Sequence, residues 1–184
     1  MITEYFDLPI LDWIAQHLWC PALDAIMPAI THLGDAGAAW ILWAAILLLL
    51  PKHRKAGFTM ALALLIGLLV CNATLKPLVA RMRPFDYQLL HFGKRIPLLI
   101  PAPTDFSFPS GHTNASFAAA TALLLNNRKL GVPAMILASL IAFSRLYLYV
   151  HYPTDVLASV AIGSCVAYVS YYLVNKGYAL YKDK

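Results

Sequence analysis

The chain has 184 residues, of which 60% are hydrophobic and 12% are charged. A soluble domain carries about 25% charged residues, so this composition excludes a water-soluble globular domain and indicates a membrane protein. The formal net charge of +5 does not indicate nucleic-acid binding, because the basic residues fall in short clusters between apolar runs, as in the loops of membrane proteins.

The first segment of the chain is predicted to lie in the membrane interface. Residues Asp7–Leu18 alternate apolar side chains with Asp12, Gln16 and His17. This alternation is typical of an amphipathic helix that lies along a bilayer surface instead of crossing the bilayer. We therefore treat this segment as separate from the spans that follow it.

Six apolar runs come next, and each is predicted to cross the membrane as a helix. A spanning helix needs about 20 mostly apolar residues, or fewer where the bilayer thins locally. In chain order the predicted spans are Pro21–Leu33, Ala36–Leu50, Ala56–Leu75, Ser110–Leu125, Val132–Val150 and Val156–Val174. The sequence thus predicts one all-α integral membrane domain over residues 1–184, a six-transmembrane-helix bundle with an N-terminal interfacial segment.

The basic residues predict the orientation of this bundle. Those that follow the second, fourth and sixth spans lie on one side: Lys52, Arg54, Lys55, Arg128, Lys129, Lys176, Lys182 and Lys184. The positive-inside rule makes that side cytoplasmic. We therefore expect a multi-pass protein of the plasma (inner) membrane with both termini in the cytoplasm.

Polar residues at the outer ends of the spans are predicted to form one extracytoplasmic site. Three separate stretches supply them: Lys76 and Arg83, then Ser110, Gly111 and His112, and finally Arg145, His151 and Asp155. Because successive spans alternate in direction, all three stretches reach the same membrane face. The predicted topology alone therefore brings them together.

These residue types suit the binding of a phosphate group. Lys76, Arg83 and Arg145 are cations beside low-dielectric material, where unpaired charge is costly, and a dianionic phosphate would balance them. Ser110 is a good N-cap, and Gly111 lets a ligand approach the backbone closely. The start of the fourth span would therefore direct N–H groups at the same anion.

The remaining residues suit a displacement reaction at phosphorus. His151 and Asp155 are four residues apart, with Pro153 placed to start a helix between them. Asp155 could then orient a neutral His151 for nucleophilic attack, and His112 could protonate the leaving oxygen. Such a site needs no metal, and none of the three cysteines lies in a CxxC spacing that would suggest zinc.

Three blocks of this sequence resemble the signature of a known family. KPLVARMRP (76–84), PSGH (109–112) and SRLYLYVHYPTD (144–155) match the patterns KxxxxxxRP, PSGH and SRxxxxxHxxxD. These patterns are typical of the type 2 phosphatidic acid phosphatase (PAP2) superfamily, which also includes vanadium haloperoxidases. Every signature position is filled, and the hydrophobic pattern resembles that of the six-helix membrane members.

The resemblance implies roles for the matched residues. His151 would be the nucleophile that forms a phosphohistidine, Asp155 would orient it, and His112 would be the general acid. The phosphate would be held by Lys76, Arg83, Ser110, Gly111 and Arg145. No metal or other cofactor is implied, and the substrate would be a lipid phosphate reached from the outer membrane face.

The sequence therefore predicts a metal-independent lipid phosphatase. Undecaprenyl pyrophosphate is the favoured substrate, because the chain resembles small bacterial undecaprenyl-pyrophosphate and phosphatidylglycerophosphate phosphatases. Phosphatidylglycerophosphate and phosphatidate are the alternatives within this class. Two alternatives belong to other functional classes. The first is a protein that binds or transports phosphate lipids without hydrolysis, and the second is a vanadate-dependent peroxidase. No partner beyond the substrate and membrane lipids is indicated.

Two further carboxylates are predicted to lie on the outer face. Asp35, in LGDAG, is interpreted as an N-cap or turn residue. Asp105 lies in the long outer loop and is interpreted by default as a solvated residue, with contact to the substrate as the alternative. Between the third and fourth spans, the apolar and proline-rich stretch 96–103 is expected to roof the pocket or to dip into the membrane surface.

Overall fold

The computed structural model describes residues 2–182 and builds them from helices. A π-helical turn, Thr3–Asp7, leads into α1, and a π-helical segment, Leu68–Leu75, joins α4 to α5 without a break. The helices are α1 (Leu8–Leu18), α2 (Pro21–His32), α3 (Ala38–Leu49), α4 (Arg54–Gly67), α5 (Lys76–Val79), α6 (Pro84–Phe92), α7 (Gly111–Asn126), α8 (Arg128–Tyr147) and α9 (Pro153–Lys182). The predicted all-α class is confirmed.

Several helices begin at residues whose chemistry favours a helix start. Pro84 and Pro153 open α6 and α9, where the missing N–H has no intrahelical acceptor to lose. Ser110 precedes α7, and its Oγ accepts a hydrogen bond from the Thr113 N–H at 3.4 Å. Asn127 caps α8 through its side-chain oxygen in the same way.

The central helix of the bundle is α7, which packs on α4, α8 and α9. Its interface consists largely of buried alanines: Ala118, Ala119, Ala120 and Ala122 on α7, with Ala63, Ala134, Ala138 and Ala167 on its neighbours. Small side chains let helix backbones approach closely, and the resulting van der Waals contact is the main source of helix association in a bilayer.

Three helical segments among residues 2–182 are long and apolar enough to cross a membrane: Arg54–Phe92, Arg128–Tyr147 and Pro153–Leu180. A fourth arises when Pro21–His32 and Asp35–Leu49 are counted together as one bent span. The two halves of this pair meet at 41°. Positive φ angles at Ala36 and Gly37 produce the bend.

The predicted count of six spans is not confirmed. Two of the predicted spans, Pro21–Leu33 and Ala36–Leu50, form a single bent segment, because a turn of 41° is far from the reversal that two successive spans require. The helix α7 has 16 residues, which is short for a span, and its neighbours enclose it. The residues that the structure describes therefore contain three candidate spans, or four with the bent pair, and α7 lies among them.

The N-terminal segment lies at the end of the bundle where α8 ends and α9 begins. Leu8 and Leu11 of α1 are buried in a cluster that includes Tyr149 and Tyr152. Asp7 accepts a hydrogen bond from the Thr154 N–H at 2.9 Å. Since α9 runs from this end to the other, the described N-terminal residues and the last turns of α9 lie at opposite ends. The prediction that both termini are cytoplasmic stays a prediction.

The basic clusters meet at the other end of the bundle. Lys55 lies over the ring of Tyr171, with Nζ 5.8 Å from the ring centroid. A cavity of about 260 Å³ is lined there by Lys52, Lys55, Asn126 and Asn127. The loops after α3 and α7 thus share one end with the last turns of α9, as predicted. Lys184 lies outside the described residues.

Candidate active site

The sequence-predicted site residues converge at the end of the bundle that carries the N-terminal segment. Six of the eight line one cavity of about 820 Å³: Lys76, Arg83, Gly111, His112, Arg145 and His151. The other two, Ser110 and Asp155, are fully buried behind it. Residues from α5, α7, α8 and the loop before α9 therefore meet, as the alternation of helices predicts.

Two of the three cations are occupied by Asp105. Lys76 Nζ and Arg83 Nη2 both donate to its carboxylate, and Arg83 Nε donates to its backbone oxygen at 2.8 Å. Burial by itself would raise the pKa of this carboxyl group, but the hydrogen bonds from Lys76 and Arg83 lower the pKa of Asp105 to about 2. Asp105 is thus a half-exposed loop residue, with 53% of its side chain accessible, and it also pairs with two cations of the site.

The third cation, Arg145, has an N–H donor that is not used in a hydrogen bond within the described residues. The guanidinium is buried, and its Nη1 donates to Thr31 Oγ1 at 2.6 Å. Its Nε has no hydrogen-bond partner among residues 2–182. An unpaired buried donor is costly, so an anion that enters the cavity would gain a strong charge-assisted hydrogen bond here.

The ring of His151 points its two nitrogens at different chemical surroundings. Nδ1 lies 3.6 Å from Asp155 Oδ2, and Nε2 lies 3.3 Å from Arg83 Nη1. We assign the proton to Nδ1, because Nε2 faces an obligatory donor and Nδ1 faces a carboxylate. Burial lowers the pKa of His151 to about 3, helped by Arg83 and Arg145 and opposed by Asp155. The neutral ring thus presents a lone pair on Nε2 to the cations.

Asp155 is held by three donors. Arg81 Nη1 and Ser107 Oγ each donate to its carboxylate at 2.5 Å, and the Tyr152 N–H donates at 3.0 Å. The sequence did not assign a site role to Arg81 or Ser107. Arg81 fills a variable position of the KxxxxxxRP pattern, and Ser107 lies in an irregular stretch with no periodic pattern.

His112, the predicted general acid, contacts a carboxylate at the bend between α2 and α3. Its Nε2 lies 2.9 Å from Asp35 Oδ1, and Asp35 Oδ2 lies 2.7 Å from His32 Nδ1. The N-cap of α3 is Gly37, not Asp35. Of the two interpretations of Asp35, the turn residue is confirmed and the N-cap is not, because Asp35 opens the turn Asp35–Gly37. Its carboxylate faces His112.

The start of α7 fulfils its predicted role only in part. Ser110 Oγ is engaged by Thr113, and the Ser110 N–H donates to Ser159 Oγ at 2.8 Å. The side chain of Ser110 therefore shapes the helix start and does not reach the cavity. Gly111 does line the cavity, and a Cβ there would lie 3.3 Å from the side-chain amide of Asn72.

The cavity continues from the polar end into an apolar groove between α3 and α4. The groove is lined by Ile41, Ala44, Ala45 and Leu48 of α3, by Ala61, Leu64 and Leu65 of α4, and by Leu68 at the start of the π-helical segment. Its outer residues, such as Leu65 and Leu68, are more than half exposed, so the groove is open along the side of the bundle. Residues 100–105, in the loop before α7, line the polar end of the cavity. They overlap the stretch 96–103 that was expected to roof the pocket.

In the part of the chain that the structure describes, no cluster of three or more His, Cys, Asp or Glu side chains could hold a metal ion. The charges that face the cavity come from cationic side chains and from the two carboxylates Asp35 and Asp105. The arrangement can bind an anion, present an imidazole lone pair to it and supply a second imidazole for proton transfer.

Comparison with known proteins identifies relatives over most of the chain. A family model described as the PAP2 superfamily matches residues 52–178. A Sulfolobus acidocaldarius protein named undecaprenyl-diphosphatase is 34% identical over 139 residues, which cover 75% of this chain and 65% of that protein. The Bacillus subtilis protein named undecaprenyl-diphosphatase BcrC is 36% identical over 151 residues, which cover 80% of this chain and 72% of the relative.

The similarity extends to solved structures. A crystal structure of a transmembrane PAP2 type phosphatidylglycerolphosphate phosphatase from Bacillus subtilis superposes with a TM-score of 0.74 at 26% sequence identity. The match covers 95% of this chain and 87% of that one. The superposition therefore includes the N-terminal part of this chain, which precedes the matched family model.

Proposed function

Because this chain belongs to the PAP2 superfamily, we propose that it is a lipid phosphatase that transfers a phosphoryl group first to His151 and then to water. One observation carries the proposal. The buried, neutral ring of His151 directs Nε2 at a group of cations and Nδ1 at the carboxylate of Asp155. Such an imidazole is a nucleophile aimed at the place where an anion binds.

The first step forms a bond between Nε2 and phosphorus. The phosphate displaces the Asp105 carboxylate and takes hydrogen bonds from Lys76, Arg83 and the free Nε of Arg145. As the Nε2–P bond forms, the bond from phosphorus to the leaving oxygen breaks. The cations of the site, which are already in place, stabilise the negative charge on the phosphoryl oxygens. The imidazole gains positive charge, which Asp155 stabilises from the Nδ1 side.

The leaving group takes a proton from His112. The negative charges of Asp35 and of the bound phosphate favour the protonated form of His112 against the desolvation of its ring, and this proton passes to the leaving oxygen. In the second step, His112 removes a proton from water, the water oxygen attacks phosphorus and the Nε2–P bond breaks. Inorganic phosphate leaves, and both histidines return to their starting states.

The apolar groove supports a lipid as the substrate. It begins at the cations and follows α3 and α4 away from the site, so a lipid whose phosphate is bound at His151 would lay its chain along these helices. A single open groove favours one long chain, as in undecaprenyl pyrophosphate, and two relatives carry the name undecaprenyl-diphosphatase. Phosphatidylglycerophosphate is the alternative, supported by the name of the superposed Bacillus subtilis structure. Phosphatidate remains a third candidate.

We place the site on the extracytoplasmic face of the plasma membrane. The basic clusters around Lys52, Lys55 and Lys129 lie at the other end of the bundle, and the positive-inside rule assigns that end to the cytoplasm. The N-terminal segment then lies outside with the site, and α9 ends inside.

The test is phosphate release by the purified protein in detergent from undecaprenyl pyrophosphate, phosphatidylglycerophosphate and phosphatidate, each with and without EDTA. We expect release in EDTA, because the cations of the chain already neutralise the phosphate, and we expect no release by His151→Ala. Loss of activity in EDTA would contradict the metal-independent reaction. Lipid binding without release by the wild type would instead favour a binding or transport protein.

A further inference from the structure

Arg81 joins two buried carboxylates, one of them the proposed partner of the nucleophile. Its Nη1 lies 2.5 Å from Asp155 Oδ1, and its Nη2 lies 2.6 Å from Asp7 Oδ2. Both carboxylates are fully buried. Asp7 belongs to the N-terminal segment, which is 148 positions away from Asp155 in the sequence. The guanidinium therefore connects this segment to the centre of the site.

Several contacts fix the plane and position of this guanidinium. Its central carbon lies 3.8 Å from the ring centroid of Tyr152. Thr154 Oγ1 accepts from Arg81 Nη1 and donates to Asp7 Oδ2, each at 2.8 Å, and the Thr154 N–H also donates to Asp7. The resulting network is closed, and it includes the backbone that leads from His151 to Asp155. A shift of Asp155 away from His151 would break these contacts.

The charges of the network suit the developing charge on His151. Arg81 alone would reduce the negative potential that Asp155 exerts at Nδ1, because a cation 2.5 Å away offsets the carboxylate. Asp7 offsets that cation in turn. The set of Asp7, Arg81 and Asp155 carries a formal charge of −1, and it faces an imidazole that becomes positive as the Nε2–P bond forms.

We propose that Arg81 and Asp7 are positioning residues of the active site. Arg81 fixes the carboxylate of Asp155 toward His151 Nδ1, and Asp7 keeps the net charge behind the nucleophile negative. The N-terminal segment is then a part of the catalytic apparatus and not only a membrane-surface helix. This inference rests on the proposed phosphoryl transfer to His151.

The test compares Arg81→Lys, Arg81→Met and Asp7→Asn with the control Lys94→Met. Lys94 pairs with Asp12 at 2.8 Å, so the control loses an ion pair to the same N-terminal segment without touching Asp155. The readout is the single-turnover rate constant for transfer from a water-soluble aryl phosphate, measured with the enzyme in excess and saturating. Under these conditions the rate constant does not depend on the fraction of correctly folded enzyme.

We expect Arg81→Met to slow the transfer by about 100-fold and Asp7→Asn by about tenfold, as typical for groups that orient a reacting side chain. Arg81→Lys should recover part of the loss, because an ammonium reaches one carboxylate but does not bridge two. The half-saturating enzyme concentration should change by less than about threefold, since neither residue touches the phosphate. Lys94→Met should match the wild type.

The inference would be overturned if Arg81→Met and Asp7→Asn had the same rate constant as Lys94→Met. This holds whether all three variants match the wild type or all three are slow. A weaker substrate affinity with an unchanged rate constant would also overturn it. The proposed function is tested separately by the wild type and His151→Ala in the same assay. If the wild type transfers no phosphoryl group, the proposed function fails; if it is active and the positioning variants are unimpaired, only the inference fails.

Discussion

His151 Nδ1 lies 3.6 Å from Asp155 Oδ2, which is longer than a hydrogen bond of normal geometry. Three other donors already satisfy the carboxylate, so it is fixed before the imidazole engages it. A small rotation of the ring would close the gap when phosphoryl transfer makes the imidazole cationic. Hydrogen bonds between catalytic groups are often long in unliganded enzymes and shorten when the substrate binds.

The buried, neutral state of His151 predicts a pH dependence of stability. The pKa of His151 is about 3 in the folded protein against 6.5 for an unperturbed histidine. Between these values the unfolded chain binds a proton that the folded protein does not, so this residue lowers the stability as the pH falls from about 6.5 toward 3. The melting temperature in detergent should therefore decrease between pH 7.5 and pH 5. The decrease should be smaller in His151→Asn, and an equal decrease in both proteins would contradict the assignment.

Substitution of Asp105 should strengthen phosphate binding. The Asp105 carboxylate occupies Lys76 and Arg83, so the substrate must displace it. Asp105→Asn removes this competing charge, and we expect the inhibition constant of inorganic phosphate to fall by about threefold to tenfold, as expected for one charged hydrogen-bonding group. Asp86→Asn is the matched control, because Asp86 is an exposed carboxylate on α6. Weaker phosphate inhibition in Asp105→Asn would show that Asp105 orients the cations instead of competing for them.

The contact between Asp35 and His112 predicts a dependence on the leaving group. The alkoxide that leaves phosphatidylglycerophosphate is strongly basic and needs a proton to depart, whereas the phenolate that leaves an activated aryl phosphate does not. Asp35→Asn should therefore reduce kcat for phosphatidylglycerophosphate by about tenfold or more, within the range of general acid catalysis, and should leave aryl phosphate turnover nearly unchanged. His112→Asn should show the same selectivity with a larger loss. Equal losses for both substrates would remove Asp35 from the proton-transfer step.

The groove between α3 and α4 predicts discrimination by chain length. Ala45 lines the groove on α3, so Ala45→Phe should obstruct a long lipid chain. We expect KM for the long-chain substrate to rise several-fold, with no change for a short, water-soluble phosphate. Ala39→Phe is the control, because Ala39 is exposed on the same helix and does not line the groove. A similar rise in KM for both variants would mean that the chain does not occupy the groove.

The convergence of the candidate site residues could be predicted because their spacing is local and the helices alternate. Lys76 and Arg83 follow one pass, His112 opens the next, and His151 and Asp155 flank a turn between two more. Any antiparallel helical bundle with these lengths places them at one end. The prediction that these residues meet did not depend on the number of helices before α3, so they lie together although the six-span count was not confirmed.

What the sequence by itself determined is therefore the helical membrane class, the convergence of the reacting residues and the end of the bundle at which they meet. Only the tertiary structure decided which side chains surround them. Asp7, Asp35 and Asp105 reach the site from an N-terminal helix, a bend and an irregular loop, and no periodicity fixes where such segments dock. The bend itself depends on positive φ angles at Ala36 and Gly37. Such a local backbone conformation is not visible in the hydrophobic pattern, which therefore predicted two separate spans where the structure has one bent pair.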